Sequence, residues 1–362
     1  MRQLTRKNRT SKVVVHDANS GLVGTLARKR RFLAWSAVGL PVLVSPALLV
    51  AFLLMFGGNQ VARDLLVDFG RDPIEVVYFG DSVVRAFSGC EQRTEGIDDL
   101  LRAAHSSDIA TVAGAGYSAQ QYAVLSKLFD VTDHKPRVAI VPINMRSLSP
   151  AWGENPDWQF GADMQYVRIL SGEWQSVPAF IATSLFDANK VERDAFLQRD
   201  VTASGINYGP LEKLAEQAAG VPLNLECEAD AAIYTPALRA KFTINYMFDI
   251  QESHPLIGTA IGFADNLRDH GIAPLFYLTP INATEGTALV GPAFQETLIR
   301  NSGIVRAALE ETGSVVLDMT FDLPGDQFSD KGCACEHLTY EGREHVASRL
   351  NAALTKLPVL VE

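Results

Sequence analysis

The sequence predicts an α/β protein built on a mainly parallel, doubly wound sheet, preceded by one transmembrane helix. Three observations carry this reading. From about Asp72 onward, short β-rich apolar runs alternate with amphipathic stretches, an order that implies right-handed crossovers between parallel strands. The chain has 362 residues, 47% of them hydrophobic, enough to bury one large core plus an insertion. Phe32 to Phe56 is an uncharged run of 25 residues, long enough to cross a bilayer even with Pro41 and Pro46 inside it.

The elements follow in chain order. Residues 1–31 form a basic tail that ends in Arg28-Lys29-Arg30-Arg31. Positive charge holds that end in the cytoplasm and sends everything after Gly57 outside. Residues 32–56 are then a signal anchor. The alternative is a cleavable signal peptide, but its apolar region would be only about 7–15 residues with a small-x-small cleavage site. Residues 57–72 read as a linker, and 73–362 as an extracytoplasmic domain. The formal net charge is −10, and the stretch before Arg63 carries nine Lys or Arg against one acid, so the remainder carries −18. Such an outer domain argues against nucleic acid as a partner. The expected address is the bacterial inner membrane, single-pass, with the C-terminal domain periplasmic.

Candidate strands are Ile74–Phe79, Ile109–Ala113, Arg137–Ile143, Pro274–Thr279 and Ser314–Met319. Helical patterns cover Gly96–His105, Ala119–Phe129, Leu256–His270, Ala293–Glu310 and Glu341–Leu357. Between Met145 and about Ser253 the alternation fails. This stretch carries Trp152, Trp158, Trp174, Tyr166, Tyr208 and Tyr234, with helical runs near Val177–Asn189 and Ala237–Phe248. It reads as an insertion over the strand ends. Its aromatics either stack on sugar rings or pack a small core of their own.

Gly80-Asp81-Ser82 directly follows the first strand. A serine in a tight turn at the rim of a sheet is exposed beside backbone N–H groups, as a nucleophile requires. The same tripeptide also reads as an ordinary turn or N-cap. His337 precedes the C-terminal helix, where an imidazole can serve as a general base. Gly116 lies in Gly114-Ala115-Gly116-Tyr117-Ser118 after the second strand, and Asn144 ends the third. Ligands of doubly wound sheets sit beyond the carboxyl ends of the strands, where all four blocks fall.

Taken in the order Ser, Gly, Asn, His, these blocks resemble the SGNH/GDSL hydrolase superfamily. The resemblance implies a three-layer α/β/α fold on a five-stranded sheet, Ser82 as nucleophile and His337 as base. It further implies an oxyanion hole of the Ser82 and Gly116 N–H groups and the Asn144 amide. Three departures stand out. Pro142 replaces the usual glycine two residues before Asn144, leaving the amide side chain free. Ala334 stands where the family places an aspartate three residues before the histidine. The segment Lys331 to Glu336 lengthens that gap, which makes Asp330 the favoured acid, with Glu336 and Asp326 as alternatives.

Cys90, Cys227, Cys333 and Cys335 all fall on the outer side, where disulfides form. Cys90 bridged to Cys333 or Cys335 would tie the serine and histidine segments together; the alternative is buried free thiols. No metal is expected, because Cys-x-Cys lacks a second ligand pair, and no cofactor. The resulting expectation is a serine esterase or O-acyltransferase on acyl esters of cell-envelope or exported polysaccharide. Its partners would be an acylated glycan or other ester substrate, the membrane through one N-terminal helix, and an integral-membrane protein that delivers the acyl donor. The competing reading is a non-catalytic module binding a glycan or a partner.

Overall fold

Apolar runs buried on both faces make the sheet. The computed structural model describes residues 60–69, 74–88, 91–105, 108–153, 155–185, 197–221, 231–329, 334 and 336–357. Among them five strands, β1 (Val76–Gly80), β2 (Ile109–Ala113), β3 (Val138–Ile143), β6 (Ala273–Leu278) and β7 (Val315–Asp318), form one parallel sheet in the order β2-β1-β3-β6-β7. Every residue of β1 and β3 is buried, which is why both read as unbroken hydrophobic runs.

Side chains alternate between two cores. Val77, Phe79, Ala139, Val141, Phe276 and Leu278 pack with Leu125, Phe263, Phe294 and Val305 from helices on one face. Val76, Tyr78, Val138, Ile140, Leu275 and Tyr277 pack with Ile97, Leu101, Val346 and Leu350 from helices Ile97–Ala104 and Tyr340–Leu354 on the other. The result is helix, sheet, helix, with the predicted strands in place to within two residues at either end.

Pro142 has a visible effect inside β3. A proline has no N–H for the ladder, and the β1–β3 pairing ends at Tyr78–Ile140, just before it. The sheet therefore opens beyond that point, and the C-terminal ends of β1 and β3 face each other through side chains.

The stretch expected as a linker contains helix Gln60–Phe69, whose Ala62 and Leu65 are buried in the main core. The expected membrane span, Phe32–Phe56, lies outside the described residues, and among the described residues no helix is long and apolar enough to cross a membrane. Between β3 and β6 the chain forms helices Asn155–Leu170, Val177–Leu185, Leu211–Ala218, Thr235–Tyr246 and Pro255–Asp269. It also forms a two-stranded antiparallel hairpin, β4 (Asp200–Ala203) and β5 (Ile206–Pro210).

Candidate active site

The serine turn is a product of close packing. Asp81 caps a 3-10 turn, Ser82–Val84, its Oδ1 accepting from the Val83 N–H at 2.8 Å. Val84 folds back over β1 so tightly that a Cβ on Gly80 would collide with its Cγ2; only glycine fits. Ser82, half-buried, opens the turn, the position where backbone N–H groups have no intrahelical acceptor.

The histidine arrives from the far end of the chain. An isolated antiparallel bridge joins Phe328 to Leu338, with Ser329 N–H donating to His337 O at 3.0 Å and Thr339 N–H to Gln327 O at 2.9 Å. Thr339 then caps the final helix through its side chain, accepting from Gly342 N–H. Held on both sides, His337 presents Nε2 at 3.1 Å from Ser82 Oγ, across 255 residues of sequence. A hydroxyl and an imidazole at hydrogen-bond distance can exchange a proton, the first requirement of an activated serine.

Gly116 and Asn144 flank this pair at the neighbouring strand ends. The Gly114 N–H donates to Gly80 O at 3.1 Å, which lays the turn after β2 alongside the serine turn. Gly116 has φ +82°, a left-handed conformation natural to glycine, and its Cα faces the rings of Phe160 and Trp152. Asn144 is buried at the end of β3, and its Oδ1 accepts from the Arg146 N–H at 3.0 Å. Its amide nitrogen is engaged by two acids. Nδ2 donates to Asp81 Oδ2 at 3.2 Å and to Glu336 Oε2 at 2.8 Å.

The acids divide unequally. Glu336 is wholly buried, and its carboxylate meets Asn144, the Tyr246 hydroxyl (2.5 Å, on Oε1) and Arg146 Nη2 (3.5 Å). Asp326 is exposed on a 3-10 turn, Gly325–Gln327. Asp330 lies outside the described residues, as do Cys90, Cys227, Cys333 and Cys335. Burial pushes the Asp81 carboxyl above its ordinary pKa, and nearby Glu336 adds to this, while Arg146, the Val83 N–H and His337 oppose it. Burial likewise drives the Tyr246 hydroxyl well above its usual range.

Arg146 and Tyr246 escaped the sequence reading. Arg146 carried a signal: a cation three residues past a fully apolar strand must find an acid or a ring, and it stands 5.0 Å over Trp152. Tyr246 carried none, because its contact to Glu336 spans 90 positions. Among the described residues no group of His, Cys, Asp and Glu is arranged to hold a metal ion.

No protein-family model and no curated protein matches the chain. Solved structures similar to it include a lipolytic protein of the G-D-S-L family from Veillonella parvula, 10% identical, covering 78% of this chain and 100% of that one at a TM-score of 0.37. A GDSL-like lipase from Bacteroides thetaiotaomicron is 9% identical over 82% and 99% of the two chains, with a TM-score of 0.36. A carbohydrate acetylesterase from Sinorhizobium meliloti is 9% identical over 78% and 98%, with a TM-score of 0.33.

Proposed function

We propose that this chain is a membrane-tethered serine esterase or O-acyltransferase of SGNH/GDSL type. It acts on acyl esters, acetyl foremost, of cell-envelope or exported polysaccharide at the outer face of a bacterial inner membrane. The observation that carries the chemistry is the 3.1 Å approach of His337 Nε2 to Ser82 Oγ. The imidazole takes the hydroxyl proton as Ser82 attacks the ester carbonyl. The tetrahedral oxyanion is met by the N–H groups of Ser82 and Gly116 and by the Asn144 amide. Collapse expels the alkoxide, which receives the proton from His337 and leaves an acyl-Ser82 ester. The acyl group then passes to water or to a sugar hydroxyl, two acceptors that share the same intermediate. Asp330 is the residue assigned to orient the imidazole. The basic tail and the apolar run Phe32–Phe56 support the tether.

The test is covalent labelling of the full-length chain in detergent with a fluorophosphonate. Labelling of the wild type that vanishes in Ser82→Ala and falls steeply in His337→Ala supports the reading. A folded wild type that takes up no label removes it.

One observation favours a second reading. Both N–H groups of Asn144 rest on carboxylates, as in a non-catalytic module that holds a glycan or a partner in an envelope complex. In that case Ser82→Ala and His337→Ala leave cellular function intact, whereas changes in the aromatic insertion abolish it.

A further inference from the structure

Glu336 is a buried acid to which neither the nucleophile nor the base role gives a task. Three donors converge on it: Asn144 Nδ2 at 2.8 Å, Tyr246 Oη at 2.5 Å and Arg146 Nη2 at 3.5 Å. Tyr246 ends helix Thr235–Tyr246 in the insertion, and its neighbour Asn245 donates to the Ala334 carbonyl at 3.0 Å. Tyr246 Oη lies 3.2 Å from the same carbonyl. The insertion thus grips the chain immediately before His337.

The consequence falls on Asn144. The terminal torsion of an asparagine is soft and roughly two-fold, so an unrestrained amide presents either oxygen or nitrogen to a given point. Here the sense is fixed on both sides. The Arg146 N–H requires an oxygen at 3.0 Å, and a carboxylate, which only accepts, requires an N–H. Of the two amide hydrogens, the one on Glu336 makes the shorter contact, 2.8 Å, and the one on Asp81 the longer, 3.2 Å.

We propose that Glu336 is a positioning residue that fixes the Asn144 amide through the shorter bond, so that the hydrogen now resting on Asp81 is the one delivered to a developing oxyanion. Tyr246 holds Glu336 for this task, which makes the insertion a working part of the site. The proposal rests on the reading of Ser82 as nucleophile.

The experiment measures two quantities on the full-length chain: the second-order rate of fluorophosphonate labelling, and kcat and KM for 4-nitrophenyl acetate. In labelling, the serine oxygen–phosphorus bond forms, fluoride leaves and His337 takes the proton; the phosphoryl oxygen stands in for the oxyanion. Loss of one side-chain oxyanion donor lowers the rate about 100- to 1,000-fold, the drop expected for Asn144→Ala. Glu336→Ala is expected to lower labelling and kcat at least about tenfold with KM little changed, since only the transition state feels the misaimed donor. Glu336→Gln, whose side-chain oxygen still accepts from Asn144, is expected to stay within about threefold of wild type. The decisive arm is the pair: in an Asn144→Ala background, Glu336→Ala is expected to slow labelling no more than about twofold, because residues that act through one another do not add. Tyr246→Phe, a milder variant, is expected to follow the same pattern with a smaller single effect.

Full multiplication of the Glu336 and Asn144 effects overturns the proposal, as does a Glu336→Ala enzyme that labels at the wild-type rate. If either happens while Ser82→Ala abolishes labelling, the positioning role alone is lost. If Ser82→Ala labels like wild type, the nucleophile reading falls and takes the proposal with it.

Discussion

Arg343 and Glu91 form an ion pair at 3.0 Å across 252 residues of sequence, with the Arg343 side chain wholly buried. The remaining donors of the guanidinium reach the carbonyls of Glu95 (2.9 Å), Arg93 (2.8 Å) and Leu338 (2.6 Å). Leu338 follows His337, and residues 91–95 belong to the segment that leaves the serine turn. One buried cation therefore clasps the two segments whose side chains meet at Ser82 and His337. Arg93 adds a second contact by stacking on the Tyr340 ring.

Removing that cation strands a carboxylate and three carbonyls. Breaking a buried pair from one side typically costs about 3–5 kcal/mol, so Arg343→Met is expected to lower the free energy of unfolding by that order. Adding Glu91→Gln removes the uncompensated charge and is expected to restore part of the loss. Urea unfolding of the three proteins checks this; an Arg343→Met midpoint equal to wild type would show that the clasp bears no weight.

Two glycines are expected to respond oppositely to alanine. At Gly80 the added methyl meets Val84 and the Ala113 side chain, and overpacking of this kind costs about 1–3 kcal/mol. The shift also displaces the Ser82 turn, so fluorophosphonate labelling should slow. Gly258 sits within helix Pro255–Asp269 with nothing near its Cα to obstruct a methyl. Gly258→Ala is expected to stabilise the fold by about 0.5–1 kcal/mol through helix propensity. Paired unfolding curves decide both signs.

Asp81 sets a pH dependence. Its folded pKa is raised by burial, so the folded state holds a proton that the unfolded state releases at about pH 4. The stability associated with that proton is complete below about pH 4 and is lost as pH rises through the raised folded value. Asp81→Asn, which can still cap the Val83 N–H, should therefore gain on wild type across that rise and match its pH slope below it. Unfolding free energies from pH 3 to pH 8 test the sign; an Asp81→Asn variant that loses ground to wild type as pH rises contradicts it.

Tyr78 and Tyr277 share a hydrogen bond of 2.7 Å between hydroxyls buried inside the sheet. Removing one partner leaves the other unsatisfied, at a cost of about 1–3 kcal/mol. Tyr78→Phe and Tyr277→Phe are each expected to destabilise, and the double variant to cost less than their sum. Additive losses in a double-mutant cycle would show that the hydroxyls act separately.

What the sequence made legible follows burial. Strands such as Val138–Ile143 lie between two helical layers, so nothing polar interrupts them and their limits can be read directly. The motifs at their ends were legible for the same reason, since a turn residue behind an apolar run has one place to go. The insertion was harder. Helix Asn155–Leu170 went unread because its apolar residues do not keep to one stripe. The hairpin was missed although its signal was present: Ser204-Gly205, at φ +51° and +76°, form a two-residue loop closed by the Ala203–Ile206 pair, the geometry that such a dipeptide favours. The network of Glu336, Asn144, Tyr246 and Arg146 was out of reach, because hydrogen bonds across 90 or 192 positions leave no local pattern.

The bridge between Phe328 and Leu338 has a temporal consequence. It cannot form until the chain has been made through Leu338, and the Ser82–His337 contact that it supports spans 255 positions, a separation that is slow to close. A chain still emerging from its ribosome, or truncated ahead of Glu336, carries the hydroxyl of Ser82 without its imidazole. Whatever reactivity the two share is thereby withheld until the segment bearing His337 has been made and has folded back onto the serine turn.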